Sequence, residues 1–120
     1  MNLRNEEFKK ELLNRTLTFS NNLIDFVLTL PSNFVNDIIR KQLIRSGTSI
    51  GANYREACEA ESAKDFVHKI RISKKEAKET EYWLELVQKT NQSFVEKIEP
   101  LFKEVREFIK IFSVISSKFD

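Results

Sequence analysis

Two glycines and two prolines among 120 residues leave this chain few places to turn sharply, and that scarcity constrains its fold more than any other feature. Sandwiches and barrels need a turn every ten or so residues. Long helices need turns only at their ends. Three punctuation points divide the chain into four stretches of similar length. At Leu30-Pro31-Ser32-Asn33 the proline disfavours helix at the preceding residue, and Ser32 can cap the second helix. Ser62 with Asp65 is close in form to a capping box, although Ala57 to Ala63 also suits continued helix. Thr90-Asn91-Gln92-Ser93 supplies the third break, with Ser93 and Glu96 in S-x-x-E spacing. These signals predict helices over about 3–30, 33–61, 63–90 and 94–119 in a single domain.

Each stretch repeats its apolar residues at helical spacing. In the first, Leu12, Phe19 and Phe26 adjoin a ridge of Leu13, Leu17, Ile24 and Leu28. The second repeats Val35, Ile39, Leu43, Ser46, Ile50 and Ala57; the third repeats Phe66, Ile70, Ser73, Ala77, Thr80, Leu84 and Val87. The fourth gives Ile98, Leu101, Val105, Phe108, Phe112, Ile115 and Phe119. Seams of this spacing joined by short loops predict an all-α, antiparallel up-down-up-down, left-handed four-helix bundle. Nothing reads as a strand.

Two interior features depart from a leucine-rich bundle. Gly47 and Gly51 lie four apart inside the second helix, where each costs about 1 kcal/mol relative to alanine. They mark either a local loosening or the close approach of another helix. Small residues in the third seam, Ser73, Ala77 and Thr80, suggest that the second and third helices cross tightly. Beside the second seam run Arg45, Ser49, Asn53 and Glu56, and the third helix carries Ser73 and Glu76 on a comparable face. If these faces meet, Arg45 can pair with Glu76 in a polar network that fixes register between helices. The alternative for these residues is contact with a ligand.

Signatures of chemistry are sparse. His68 is the sole histidine and Cys58 the sole cysteine, so one chain holds neither a disulfide nor a cysteine-based zinc site. No Glu-x-x-His pair, glycine-rich phosphate loop or G-x-S-x-G turn occurs. Cys58 reads as a small boundary residue rather than a nucleophile. The expectation is a protein without catalysis, metal or cofactor. The charged segment Met1 to Lys10 is no secretory signal, and Asp25 interrupts the apolar run Leu23 to Leu30. A cytoplasmic protein with no membrane partner is expected.

Charge distribution is more informative than the net value of +2. The first, second and fourth helices balance their acids and bases, whereas the third has seven basic residues against five acidic. Lys64, His68, Arg71, Lys75 and Lys78 recur at 4-3-4-3 spacing, which places them on one face, with Lys69 and Lys74 flanking it. Such a stripe suits successive phosphates of RNA or DNA, or an acidic protein surface; equally, it suits a merely solvated face. No aromatic interleaves it, so any nucleic-acid contact is to the backbone and tolerant of sequence.

The run from Arg45 to Ala57 (RSGTSIGANYREA), with Lys64-Asp65-Phe66, Ser73, Lys75-Glu76 and Glu79 after it, resembles a bacterial four-helix-bundle family. Its founding members are encoded in intervening sequences of the large-subunit ribosomal RNA gene. It also includes the accessory subunit of diversity-generating retroelements. The family pattern R-[SA]-x-x-S-[IV]-x-[AS]-N-x-x-E-[AG], then K-[ED]-[FY], then S-x-x-E, is filled at every position. The resemblance implies a bundle that assembles, as a homopentamer, and associates with nucleic acid. For the retroelement relatives it implies a reverse transcriptase as partner. The resulting expectation is a homo-oligomer bound to nucleic-acid phosphates through its third helix, with an interaction scaffold or accessory subunit for an acidic protein as the alternative.

Overall fold

The computed structural model describes residues 3–120, with side chains from residue 5 onward. Met1 and Asn2, the start of the charged N-terminal segment, lie outside the described residues. The chain forms helices α1 (Leu3–Thr29), α2 (Phe34–Cys58), α3 (Ala63–Thr90) and α4 (Val95–Ser117), with a single 3₁₀ turn (Gln92–Phe94) before α4. They pack as an antiparallel four-helix bundle with extents of 48 × 23 × 19 Å. Among the described residues there is no strand. α2 and α3 share the most extensive contact, and α1 and α4 the least.

The reason lies in side-chain size. On the α2–α3 seam Ser73 donates to the Ile50 carbonyl at 3.0 Å, and Thr80 donates to Ser46 Oγ at 2.9 Å. Ser46, Ser73, Thr80 and Ala77 are fully buried, so the two backbones approach closely and the buried hydroxyls find partners. Elsewhere phenylalanines fill the wider gaps. Phe19 meets Phe108 edge-on at 5.6 Å between ring centroids, and Phe112 lies against both Phe108 and Tyr54.

Several boundaries differ from the sequence expectation. Asn33, not Ser32, caps α2: its side chain accepts from the Asn36 N–H at 2.8 Å, while Ser32 turns to Asp37. α2 stops at Cys58 rather than at 61, and Ser62 caps α3 through the Asp65 N–H at 3.1 Å. Ser93 caps nothing, because it lies within the 3₁₀ turn, and α4 begins after Phe94 without a side-chain cap. Packing replaces capping there: the Phe94 ring stands 6.5 Å from that of Phe26.

The apolar ridges are also divided. Leu12, Phe19 and Phe26 are buried, but Leu17, Ile24 and Leu28 face away from the core, as do Val35 and Phe119. The glycines approach α1, not α3. A Cβ at Gly47 overlaps the Leu23 Cδ2 methyl, and one at Gly51 stands 3.0 Å from Thr16 Oγ1. Neither glycine has positive φ, and α2 runs through both without interruption. Their role is spatial.

The C-terminus of α1 has no basic residue in its own last turn. Arg40 of α2 supplies the charge instead, donating to the Val27 carbonyl and reaching the Leu30 carbonyl at 3.4 Å, with Asp37 holding its other nitrogen at 3.2 Å. A cation there satisfies orphan carbonyls and opposes the negative end of the helix dipole. Arg40→Ala is expected to cost about 1.5 kcal/mol in chemical denaturation. A loss below a few tenths of that size contradicts the capping role.

Candidate nucleic-acid interface

The outer face of α3 is built by exclusion. Its buried seam of Val67, Ile70, Ser73, Ala77, Thr80, Leu84 and Val87 turns toward the other helices, which leaves the opposite side to solvent. Lys64, His68, Arg71, Lys75 and Lys78 all lie on that exposed side. Fourteen residues at helical rise place the first and last about 21 Å apart. Three of the five acids of α3 engage cations of neighbouring helices, while Asp65 and Glu85 are exposed with no ion-pair partner among the described residues. Glu76 and Glu79 both engage Arg45 of α2, and Glu81 accepts from Arg106 of α4 at 2.9 Å.

The flanking lysines are less available. Lys69 and Lys74 are half-buried, and Lys69 reaches Glu56 at 3.0 Å. Arg71 lies 3.0 Å from Asp120, a pair in which both side chains are more than half exposed. A pair that open to water contributes little and releases its arginine readily. Lys64, Lys74, Lys75 and Lys78 have no ion-pair partner among the described residues.

Arg106 and Lys110 of α4 border the stripe, each with an acid partner, Glu81 at 2.9 Å and Glu107 at 3.8 Å. The Arg106–Glu81 and Arg71–Asp120 pairs set the antiparallel register of α3 and α4, which brings Lys110 to the level of Lys78. Lys110 is 75% exposed, and Arg106 lies over the Phe102 ring at 4.8 Å. Charge counted helix by helix misses these two, because the fourth helix is balanced overall.

The polar residues named beside the α2 seam do not form one buried network. Arg45 is half exposed and bridges Glu76, at 3.2 Å, and Glu79; Trp83 Nε1 donates to Glu79 at 2.9 Å. Ser49 and Asn53 hydrogen-bond to carbonyls of their own helix, and Glu56 goes to Lys69. A hydroxyl or amide four residues past a carbonyl finds that acceptor before it finds another helix. Of the named set Ser73 is buried and donates to the Ile50 carbonyl, and a second, partly buried polar cluster lies at the end of the α2–α3 seam. Asn36, 1% exposed, and Asn91 exchange amide hydrogen bonds at 3.0 and 2.9 Å, while Asn36 also donates to the Pro31 carbonyl and Asn91 to that of Val87.

A cleft of about 380 Å³ reaches the stripe's flank at Asp65 and Lys69, and its other walls are mostly acidic, with Glu56, Glu59 and Glu61. A groove of about 750 Å³ lies between α1 and α4, floored by Phe19, Phe26 and Leu101 and rimmed by Asp25, Lys97 and Glu104. No cluster of three metal-ligating side chains occurs among the described residues. Burial pushes the Cys58 thiol up, as it does the Tyr54 phenol beside it, which holds the sulfur protonated and poorly nucleophilic. No helix is long and apolar enough to cross a membrane among the described residues.

A family model described as 23S rRNA-intervening sequence protein matches residues 9–114. The fold is similar to the crystal structure of a protein of unknown function from the S23 ribosomal protein family of Bacteroides thetaiotaomicron VPI-5482. The TM-score is 0.81 at 38% identity, covering 91% of this chain and 97% of that one. No curated protein matches the sequence.

Proposed function

Since the chain belongs to the 23S rRNA-intervening sequence protein family, we propose that it is a non-catalytic, self-assembling bundle that holds nucleic-acid phosphates on the outer face of α3. The observation that carries this reading is the sorting of charge on that helix. Cations point to solvent along about 21 Å, a distance that spans several backbone phosphates, while Glu76, Glu79 and Glu81 are tied to Arg45 and Arg106 on the flanks and only Asp65 interrupts the cations within that length. A merely solvated face has no reason to be so sorted. The absence of exposed aromatics on the stripe favours backbone contact over base stacking, and hence tolerance of sequence.

Self-assembly is supported by apolar side chains left in water, among them Leu28 at 74% and Phe34 at 81% exposure. A pentamer is the size implied by the family resemblance. Assembly matters to binding because several stripes on one particle engage one strand together.

The test is titration of a labelled single-stranded RNA, and separately a DNA duplex, at low and at physiological salt. Wild type is expected to bind at low salt and to weaken steeply as salt rises. The charge-reversal variant Arg71→Glu/Lys75→Glu is expected to bind roughly 30-fold more weakly with unchanged helicity. Unchanged affinity in that variant overturns the assignment of the face. Retention of an acidic protein that survives nuclease, with no shift of either nucleic acid, assigns the same face to a protein partner instead.

A further inference from the structure

The stripe on α3 contains one arginine, Arg71, the third of its five cations. Of the five, Arg71 alone is in an ion pair among the described residues. Its partner comes from the turn that follows α4. Lys118, Phe119 and Asp120 continue that helix as a tight turn, their N–H groups donating to the carbonyls of Ile115, Ser116 and Ser117 at 3.3, 3.1 and 3.3 Å. The turn lays two consecutive side chains against α3. The Phe119 ring stands 5.8 Å from the Phe66 ring, and Asp120 Oδ1 accepts from an Arg71 nitrogen at 3.0 Å. Phe66 and Arg71 are five residues apart, about 7.5 Å along the helix, so the two contacts grip neighbouring turns.

Phe119 ends the apolar repeat of α4, yet packing does not take its ring into the core. It stays 43% exposed, against a Phe66 ring that lies at the core's edge. A ring held there fixes the position of the residue after it, which is Asp120. The cation that Asp120 meets is the one best shaped for phosphate. A guanidinium presents a planar fork to two phosphate oxygens, whereas the lysines around it act as point charges. The Asp120 carboxylate occupies part of that fork and sets a negative charge at the middle of the stripe.

From this placement we propose that residues 118–120 form an autoinhibitory latch on the stripe, the Phe119 ring anchoring the Asp120 carboxylate where a phosphate of the ligand would sit. The proposal rests on the nucleic-acid reading and adds to it a competitor built into the chain. Phosphate and carboxylate are alternative partners of Arg71, so full engagement of the stripe requires Asp120 to lift away. The latch is shallow, because both charged side chains stand open to water and such a pair favours the closed form by only a small factor. A closed form favoured about threefold leaves about one molecule in four open, which weakens the apparent affinity about fourfold. Because Asp120 is tethered to the surface it blocks, dilution does not release it, whereas loss of the ring contact does.

Binding of a labelled single-stranded RNA at low salt tests the latch. Phe119→Ala removes the ring contact without changing charge, and Asp120→Asn removes the competing carboxylate. Both positions are exposed, so circular dichroism is expected to match wild type. Phe119→Ala is expected to bind about twofold and Asp120→Asn about fourfold more tightly than wild type. In the Arg71→Ala background both gains are expected to vanish, because the latch acts through that arginine. Wild-type affinity in Phe119→Ala, or an equal gain from Asp120→Asn with and without Arg71, shows only a general effect of charge. Either result overturns the latch and leaves the assignment of the face standing. Absence of binding by wild type and by both variants overturns the nucleic-acid reading itself, and the latch with it.

Discussion

Asn36→Leu is expected to destabilise the bundle by about 3 kcal/mol in urea denaturation, more than any surface charge change in this chain. The side chain is 1% exposed and carries bonds in three directions: to the Pro31 carbonyl, to Asn91 Oδ1 and from Asn91 Nδ2. It therefore ties the α1–α2 turn to the start of α2 and the end of α3. Leucine keeps most of the volume but leaves Asn91 Oδ1 without its donor and the Pro31 carbonyl with only Arg40, at 3.4 Å. A group left unpaired in this way costs about 1–3 kcal/mol, whereas the hydrogen bonds themselves are worth less. Removal of both amides separates these contributions. Asn36→Leu/Asn91→Leu is expected to cost clearly less than the sum of the two single changes, because neither amide is then left facing an absent partner. A single variant within about 0.5 kcal/mol of wild type, or strictly additive losses, removes the clamp as a structural element.

That clamp was not legible in the sequence, and the reason is physical. Asparagines beside a proline or at the end of a helix read as turn residues, and their partners lie 55 positions apart. Periodicity, by contrast, is local. The third seam from Ile70 to Val87 is buried residue for residue, because spacing alone determines which side of a helix meets the others. Spacing does not say which of two apolar ridges goes inside. Leu17, Ile24 and Leu28 carry a helical repeat as regular as that of Leu12, Phe19 and Phe26, yet they lie in water. The candidate interface divides in the same way. The side of α3 on which Lys64, His68, Arg71, Lys75 and Lys78 fall comes from their spacing. The pairing of Lys69 with Glu56, and that of Arg106 with Glu81, required the register between helices. The Gly47–Gly51 step likewise announced a close approach but not the helix that makes it, since only the rotation of α2 in the bundle turns those positions toward α1.

Gly47→Leu is expected to lower stability by about 3 kcal/mol, with Gly51→Ala as its contrast, within about 0.5 kcal/mol of wild type. Both changes gain about 1 kcal/mol of helix propensity over glycine, so the space around each position decides the outcome. At Gly47 the first added carbon already overlaps the Leu23 Cδ2 methyl, and Phe19 Cε2 stands 3.6 Å away. Leu23 is 0% exposed and cannot swing outward, so a leucine forces α1 and α2 apart and disturbs Phe19, which meets Phe108 of α4 edge-on. At Gly51 the neighbour is Thr16, with Oγ1 at 3.0 Å and Cβ at 3.1 Å. Here a methyl needs a shift of only a few tenths of an ångström, against a hydroxyl that already bonds the Leu13 carbonyl at 3.1 Å. The propensity gain offsets that strain. Equal losses at the two positions show that glycine serves flexibility in α2 rather than the approach of α1, because a loss of flexibility does not distinguish a filled space from an open one.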